Sequence, residues 1–189
     1  MKMIMKRMFD ESEFLSDFGI RSLSKFHKDN PYQFRINGDI LRVDYTPAES
    51  TGSMFGGNSN WRGPIWFPMN FLLIDSLLKF QSYYGNDYEV EYPTDSGNMM
   101  SIKQAALSLS QRLIDLFTPD KNGQRPMFEK YEKMQSDPNF KDLYQFYEFF
   151  DGDTGKGLGA AHQTGWTGLI SELILIVSQA KKGVLPEMI

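Results

Sequence analysis

The chain has 189 residues, 41% of them hydrophobic and 14% aromatic, a composition that supports one compact domain with a core and excludes disordered or collagen-like structure. With 24 acidic and 20 basic residues the formal charge is -4, so no basic surface of the kind that attracts nucleic acid is expected. The absence of cysteine excludes a disulfide framework, a thiolate metal site and a catalytic cysteine.

At the N-terminus, methionines alternate with Lys2, Lys6 and Arg7, and Asp10, Glu11 and Glu13 follow without a hydrophobic stretch of signal-peptide length. The longest apolar run, residues 173–177, is far short of the roughly 20 residues that span a bilayer. A soluble cytoplasmic protein that contacts no membrane is the expectation. Residues 11–18 are read as a short helix, and residues 34–45 as a small hairpin about Asn37 and Gly38.

The strongest helix is predicted from Phe67 to Tyr84. Phe67, Phe71, Ile74 and Leu78 form one apolar stripe, and Leu73, Leu77, Phe80 and Tyr84 form a second beside it. A helix apolar over most of its circumference is expected to be buried on several sides, with Gly85 and Asn86 as its stop. A second helix over residues 101–117 turns Ile102, Ala105, Ala106, Leu109, Leu113 and Leu116 inward. Residues 140–149 are read as a further short helix. A third main helix begins near Thr164, carries Trp166, Ile170, Leu173, Ile174 and Val177 on one face, and closes at Lys181, Lys182 and Gly183. Between the helices lie long segments rich in Gly, Asn, Asp and Pro, at 46–64, 92–98, 118–138 and 151–163, and loops of this length usually carry function.

Two of these segments hold the candidate chemistry. Residues 56–66 read Gly-Gly-Asn-Ser-Asn-Trp-Arg-Gly-Pro-Ile-Trp, with Trp61 and Trp66 around Arg62 at the mouth of the strongest helix. Indole faces suit the C–H face of a sugar, and a guanidinium donates paired hydrogen bonds to oxygen, although the same residues also make an ordinary aromatic plug. In the second segment Glu148 is flanked by Tyr147, Phe149 and Phe150, surroundings that suit acid or base work. Gly155, Lys156 and Gly157 superficially resemble a phosphate loop, but no Ser or Thr follows the lysine and no hydrophobic strand precedes it. His27 and His162 are far apart and lack ligand spacing, so no metal site is expected. Residues 129–133 read as an exposed charged turn.

Together with Gly-Leu-Gly-Ala-Ala-His-Gln-Thr-Gly-Trp-Thr at 157–167, the first motif resembles the C-terminal part of glycoside hydrolase family 63, the processing α-glucosidase I family. The resemblance covers nearly the whole chain. It implies an all-α fold, a partial (α/α)6 toroid with long substrate-facing loops, of which residues 1–189 form the C-terminal portion. It also implies inverting hydrolysis of an α-glycosidic bond without a cofactor. The family's base glutamate stands in a Glu-x-aromatic-Asp/Asn stretch that Glu148, Phe150 and Asp151 match, with Glu129 as the rival. Trp61, Arg62, Trp66 and Trp166 are then expected to shape the sugar pocket, with His162 and Gln163 as further hydrogen-bond donors. The family's acid aspartate segment has no counterpart, so the chain is expected either to be inactive alone or to pair with a missing N-terminal half of the same domain. An oligosaccharide or small glycoside is the expected ligand, and a non-catalytic carbohydrate-binding or assembly module is the alternative.

Overall fold

The computed structural model describes residues 1–52, 60–85 and 87–183. Gly56, Gly57, Asn58 and Ser59 of the first motif, and the expected helix stop at Asn86, lie outside the described residues.

The helical core centres on one helix packed between two others. α1 is Lys2–Met8, α2 is Phe67–Tyr84 and α3 is Ile102–Asp115; α3 lies against α2 and against α6, Ile170–Lys181. Ser101 accepts from the Gln104 N–H while Gln104 accepts from the Ser101 N–H, a capping box that satisfies two amides at the start of α3. Ile102, Ala105, Ala106, Leu109, Leu113 and Leu116 are all fully buried, which is the inward face read from the sequence. Its small alanines let neighbouring helices approach. Gln81, in the last turn of α2, accepts from the Lys103 N–H at 3.0 Å and so ties that turn to the start of α3.

α2 has the expected limits but is covered along one face only. Phe67, Asn70, Ile74, Leu77 and Gln81 are buried, whereas Met69, Leu72 and Tyr83 are exposed. The expectation of burial on several sides is not met among the described residues, where α2 packs against α3 and the short α5, Thr164–Thr167. The helix expected from Thr164 onward is in fact two, α5 and α6, with Gly168 as the C-cap residue of the first. α4, Glu132–Ser136, is a single short turn.

The β structure was mostly missed by the sequence. The hairpin about Asn37 and Gly38 is present, β3 (Tyr32–Ile36) pairing with β4 (Asp39–Val43), and both turn residues take the positive φ such a turn requires. Residues 11–18, expected as helix, form turns and the strand β1, Leu15–Ser16, which pairs with β2, Gly19–Ile20. The Asp10 carboxylate accepts from the Ser12 N–H, a local bond that competes with helix formation. Residues 140–149 are not helical either. The N–H groups of Phe146, Glu148 and Phe150 donate to the carbonyls of Ala161, Ala160 and Ile65, distant partners in place of the i−4 carbonyls that a helix would use. A third hairpin joins β5, Glu89–Glu91, to β6, Met99–Ser101.

One ribbon crosses the molecule and positions the site. β2 continues to Arg21, which bridges to Ile65; Ile65 bridges to Phe150 in β7, Phe149–Phe150; β7 pairs with β8, Gly157–Leu158. Phe146 and His162 form a separate isolated bridge of parallel type beside it. The ribbon is docked on α2 by Asn70, which is buried, accepts from the Ile20 N–H at 2.7 Å and donates to the Ile20 carbonyl at 3.0 Å. Close approach of the first motif to the loop after β7 depends on Gly152, where an added Cβ would lie 2.3 Å from the Gly63 carbonyl oxygen.

Candidate functional site

The Ile65–Phe150 pairing brings the two motifs side by side. Ile65 and Phe150 exchange backbone hydrogen bonds of 2.8 and 2.9 Å, so the segment carrying Trp61, Arg62 and Trp66 lies against β7, which Glu148 immediately precedes. Trp66 is at the centre of an aromatic stack. Trp61 lies parallel to it at 3.9 Å and 1°, Phe149 packs at 4.9 Å and 25°, and Trp166 meets it edge-on at 6.0 Å and 68°. Such pairs are each worth about 0.5–1.5 kcal/mol beyond area burial.

Exposure separates the tryptophans. Trp61 is 47% exposed and Trp166 36%, while Trp66 is 2% exposed and donates its indole N–H to the Asn60 carbonyl at 2.9 Å. Trp66 therefore offers no open face to a ligand and acts as the support on which Trp61 lies. This narrows the expectation that all three line a pocket.

Arg62 is half-buried and held in place. Its Nε donates to Asn60 Oδ1 at 3.1 Å and its Nη2 to Ser50 Oγ at 2.7 Å. Asn60, buried, also donates from Nδ2 to the carbonyls of Thr46 and Ala48 at 2.7 and 2.6 Å. It is the hub of the first motif, and the sequence reading passed over it.

Glu148 is half-buried. Its N–H donates to the Ala160 carbonyl at 2.9 Å, and its Oε2 accepts from the Ala160 N–H at 3.3 Å. The carboxylate thus lies along the glycine-rich loop, and at Gly159 an added Cβ would stand 2.7 Å from Oε2. His162 and Gln163 are exposed at the end of the same loop, where the Gln163 N–H donates to the Phe146 carbonyl at 2.8 Å. Among the described residues no group of three or more His, Asp or Glu side chains is placed to hold a metal ion. No helix among them is long and apolar enough to cross a membrane.

A polar brace, buried at Tyr45 and Arg21, fixes the far side of the loop. Tyr45 donates to Asp153 Oδ1 at 2.8 Å and accepts from Arg21 Nε at 2.9 Å, and Arg21 Nη2 reaches the same carboxylate at 3.2 Å. Burial, with the Asp153 contact adding to it and Arg21 opposing, holds the Tyr45 phenol well above the ordinary tyrosine value. Below about pH 10 the phenol is protonated in both folded and unfolded chains; above it the unfolded chain loses the proton first, so stability falls as pH rises. Melting temperature is expected to be flat with respect to this group between about pH 8 and 10 and to fall beyond, and Tyr45→Phe is expected to make that alkaline fall shallower. A fall as steep in Tyr45→Phe as in the native chain would remove Tyr45 from this role.

A cleft of about 1060 Å³ opens on the other side of the loop, lined by Tyr131, Tyr147, Glu129, Lys156, Leu158 and Gly159 among others. The segment 129–133, expected as an exposed charged turn, places Glu129 half-buried at its wall.

Comparison with known proteins gives the following. The C-terminal domain model of glycosyl hydrolase family 63 matches residues 1–178. The chain is similar to the uncharacterized protein YMR196W of Saccharomyces cerevisiae, 51% identical over 173 residues that cover 90% of this chain and 16% of that protein. A probable mannosyl-oligosaccharide glucosidase of Schizosaccharomyces pombe is 27% identical over 175 residues, 90% of this chain and 15% of that protein. The mannosyl-oligosaccharide glucosidase of Saccharomyces cerevisiae is 24% identical over 169 residues, 88% of this chain and 14% of that protein. The chain thus spans between 14% and 16% of the length of these relatives.

Proposed function

The chain belongs to glycosyl hydrolase family 63, through that family's C-terminal domain, and from this premise we propose that it serves hydrolysis of an α-linked glucosyl or related residue with inversion, Glu148 being the general base. The observation that carries this reading is the Ile65–Phe150 pairing, which sets β7, with Glu148 just before it, beside the segment of the Trp61–Trp66 stack. An exposed indole face and a carboxylate side by side are what a sugar-processing site needs.

In this reading Glu148 accepts a proton from water as the water oxygen attacks the anomeric carbon from the face opposite the leaving oxygen. A carboxylic acid roughly 6.5–9.5 Å away protonates that oxygen, the gap leaving room for the water. The acid belongs to a segment outside residues 1–189, which completes an (α/α)6 toroid around the pocket. Trp61 and Trp166 contact the apolar face of the sugar, and Arg62, His162 and Gln163 are the neighbouring donors. The ligand is an oligosaccharide or small glycoside.

Stereochemistry tests the proposal. The full-length polypeptide containing residues 1–189, given an α-linked glucosyl oligosaccharide and followed by proton NMR, is expected to release the β-anomer first. First release of the α-anomer contradicts inversion, and sugar binding with no hydrolysis at all points to a non-catalytic carbohydrate-binding module.

A further inference from the structure

The peptide group that leads into Glu148 is held at both ends. Its N–H, that of Glu148, donates to the Ala160 carbonyl at 2.9 Å, and its C=O, that of Tyr147, accepts from the Thr167 hydroxyl. A peptide group is planar, so these two bonds fix its plane. On the other side of Glu148 the chain is fixed by β7 pairing with β8, and the Cβ therefore leaves the backbone in one direction. The carboxylate at its end accepts from the Ala160 N–H at 3.3 Å. Both Ala160 contacts are made by main chain, whereas the bond to the Tyr147 carbonyl is made by a side chain.

That side chain departs from the local habit of helical hydroxyls. In a helix such a hydroxyl ordinarily donates to the carbonyl four residues back. Ser76, Ser82, Ser110 and Ser136 all do so, to Leu72, Leu78, Ala106 and Glu132. In α5 the corresponding carbonyl, that of Gln163, accepts from the Thr167 N–H at 2.8 Å, and the hydroxyl reaches instead to a residue 20 positions earlier in the chain. Thr167 is fully buried, so no water competes for this bond.

The same short helix also fixes an aromatic wall of the site. Trp166 meets Trp66 edge-on at 6.0 Å, and the Gln163 N–H, at the start of α5, donates to the Phe146 carbonyl at 2.8 Å. α5 thus grips Phe146 and Tyr147 in succession. The indole at the aromatic stack and the hydroxyl that holds the peptide of Glu148 are consecutive residues, which sets one against the other.

We propose that Thr167 is a positioning residue for the hydrolytic step: its hydroxyl fixes the Tyr147–Glu148 peptide and so holds the Glu148 carboxylate, at a set offset from Trp166, where it takes the proton from water. The proposal rests on the reading of Glu148 as the base. Thr167 touches neither sugar nor water and acts through Glu148 alone.

The test compares Thr167→Val, which keeps the shape and removes the hydroxyl, with Thr167→Ser, which keeps the hydroxyl, in the full-length polypeptide containing residues 1–189. Both kcat on an α-linked glucosyl oligosaccharide and sugar affinity are measured below the melting temperatures of all variants. Thr167→Val is expected to lower kcat about tenfold or more at unchanged affinity, since small misplacements of a reacting group are costly, and Thr167→Ser to stay within about threefold of the native sequence. In a Glu148→Gln background Thr167→Val is expected to cause no further loss, as for two residues that act as a unit. If Thr167→Val does not fold, Thr167→Ala takes its place in the same comparisons. A native-like kcat without the hydroxyl, a fall in Thr167→Ser as large as in Thr167→Val, affinity lost in step with kcat, or a further loss in the Glu148→Gln background overturns the proposal. Failure of the base reading shows separately, as turnover retained in Glu148→Gln alone or absent from the native sequence, and removes the role of Thr167 with it.

Discussion

Phe150→Ala is expected to lower stability by about 3–5 kcal/mol, the range for removing a fully buried phenylalanine, and the melting temperature by roughly 6–20 °C for a domain of this size. Phe150 is fully buried, with the rings of Phe117, Phe67 and Tyr147 at 5.9, 6.3 and 6.3 Å. It belongs at once to the helical core and to the ribbon, because its backbone exchanges both hydrogen bonds with Ile65. Loss of the ring leaves a cavity under α2 and loosens β7, which Glu148 immediately precedes. Thermal melts of the native and variant chains check this. A shift of less than about 3 °C would mean that the ribbon is held mainly by other contacts.

The sequence made the helical core legible and the site geometry only in part. α2 and α3 were readable because long runs of apolar residues at helical spacing outweigh local irregularities, and α3 placed its six inward residues as the spacing required. The ribbon was not readable. β1, β2, β7 and β8 are two residues each, too short to show alternation, and their partners are as much as 85 residues distant, as for Ile65 and Phe150. Aromatic residues at 146–150 resembled a helical stripe, although their amides bond to distant carbonyls.

Among the site residues, Trp61, Trp66 and Trp166, expected to shape a sugar pocket, lie in contact with one another. Their unequal exposure had no signal in the sequence, because it depends on Phe149 and Asn60 closing over Trp66. Asn60 and Asn70 were visible only as polar residues near a helix start. Both turn out to be buried hubs whose side chains satisfy backbone groups from other segments. Glu129 was singled out as the rival base, but its positive-φ backbone and its place at the cleft wall had no signal in the sequence.

Glu148→Gln carries the largest expected effect on activity. Glutamine is nearly the same size and its amide oxygen can still accept from the Ala160 N–H, as Glu148 Oε2 does at 3.3 Å, so the loop and the aromatic stack are left in place. The amide has no basicity with which to take a proton from water, and general base catalysis contributes roughly 10²- to 10⁴-fold to rate. The loss therefore falls on kcat while sugar affinity is retained, the pattern of an interaction made only in the transition state. The most direct measurement is kcat for Glu148→Gln beside the native sequence, in the full-length polypeptide containing residues 1–189 and on an α-linked glucosyl oligosaccharide, with sugar affinity measured in the same preparations. The expected result is a fall in kcat of about 10²-fold or more at unchanged affinity; a kcat within about threefold of the native value would contradict the assignment of Glu148 as the base.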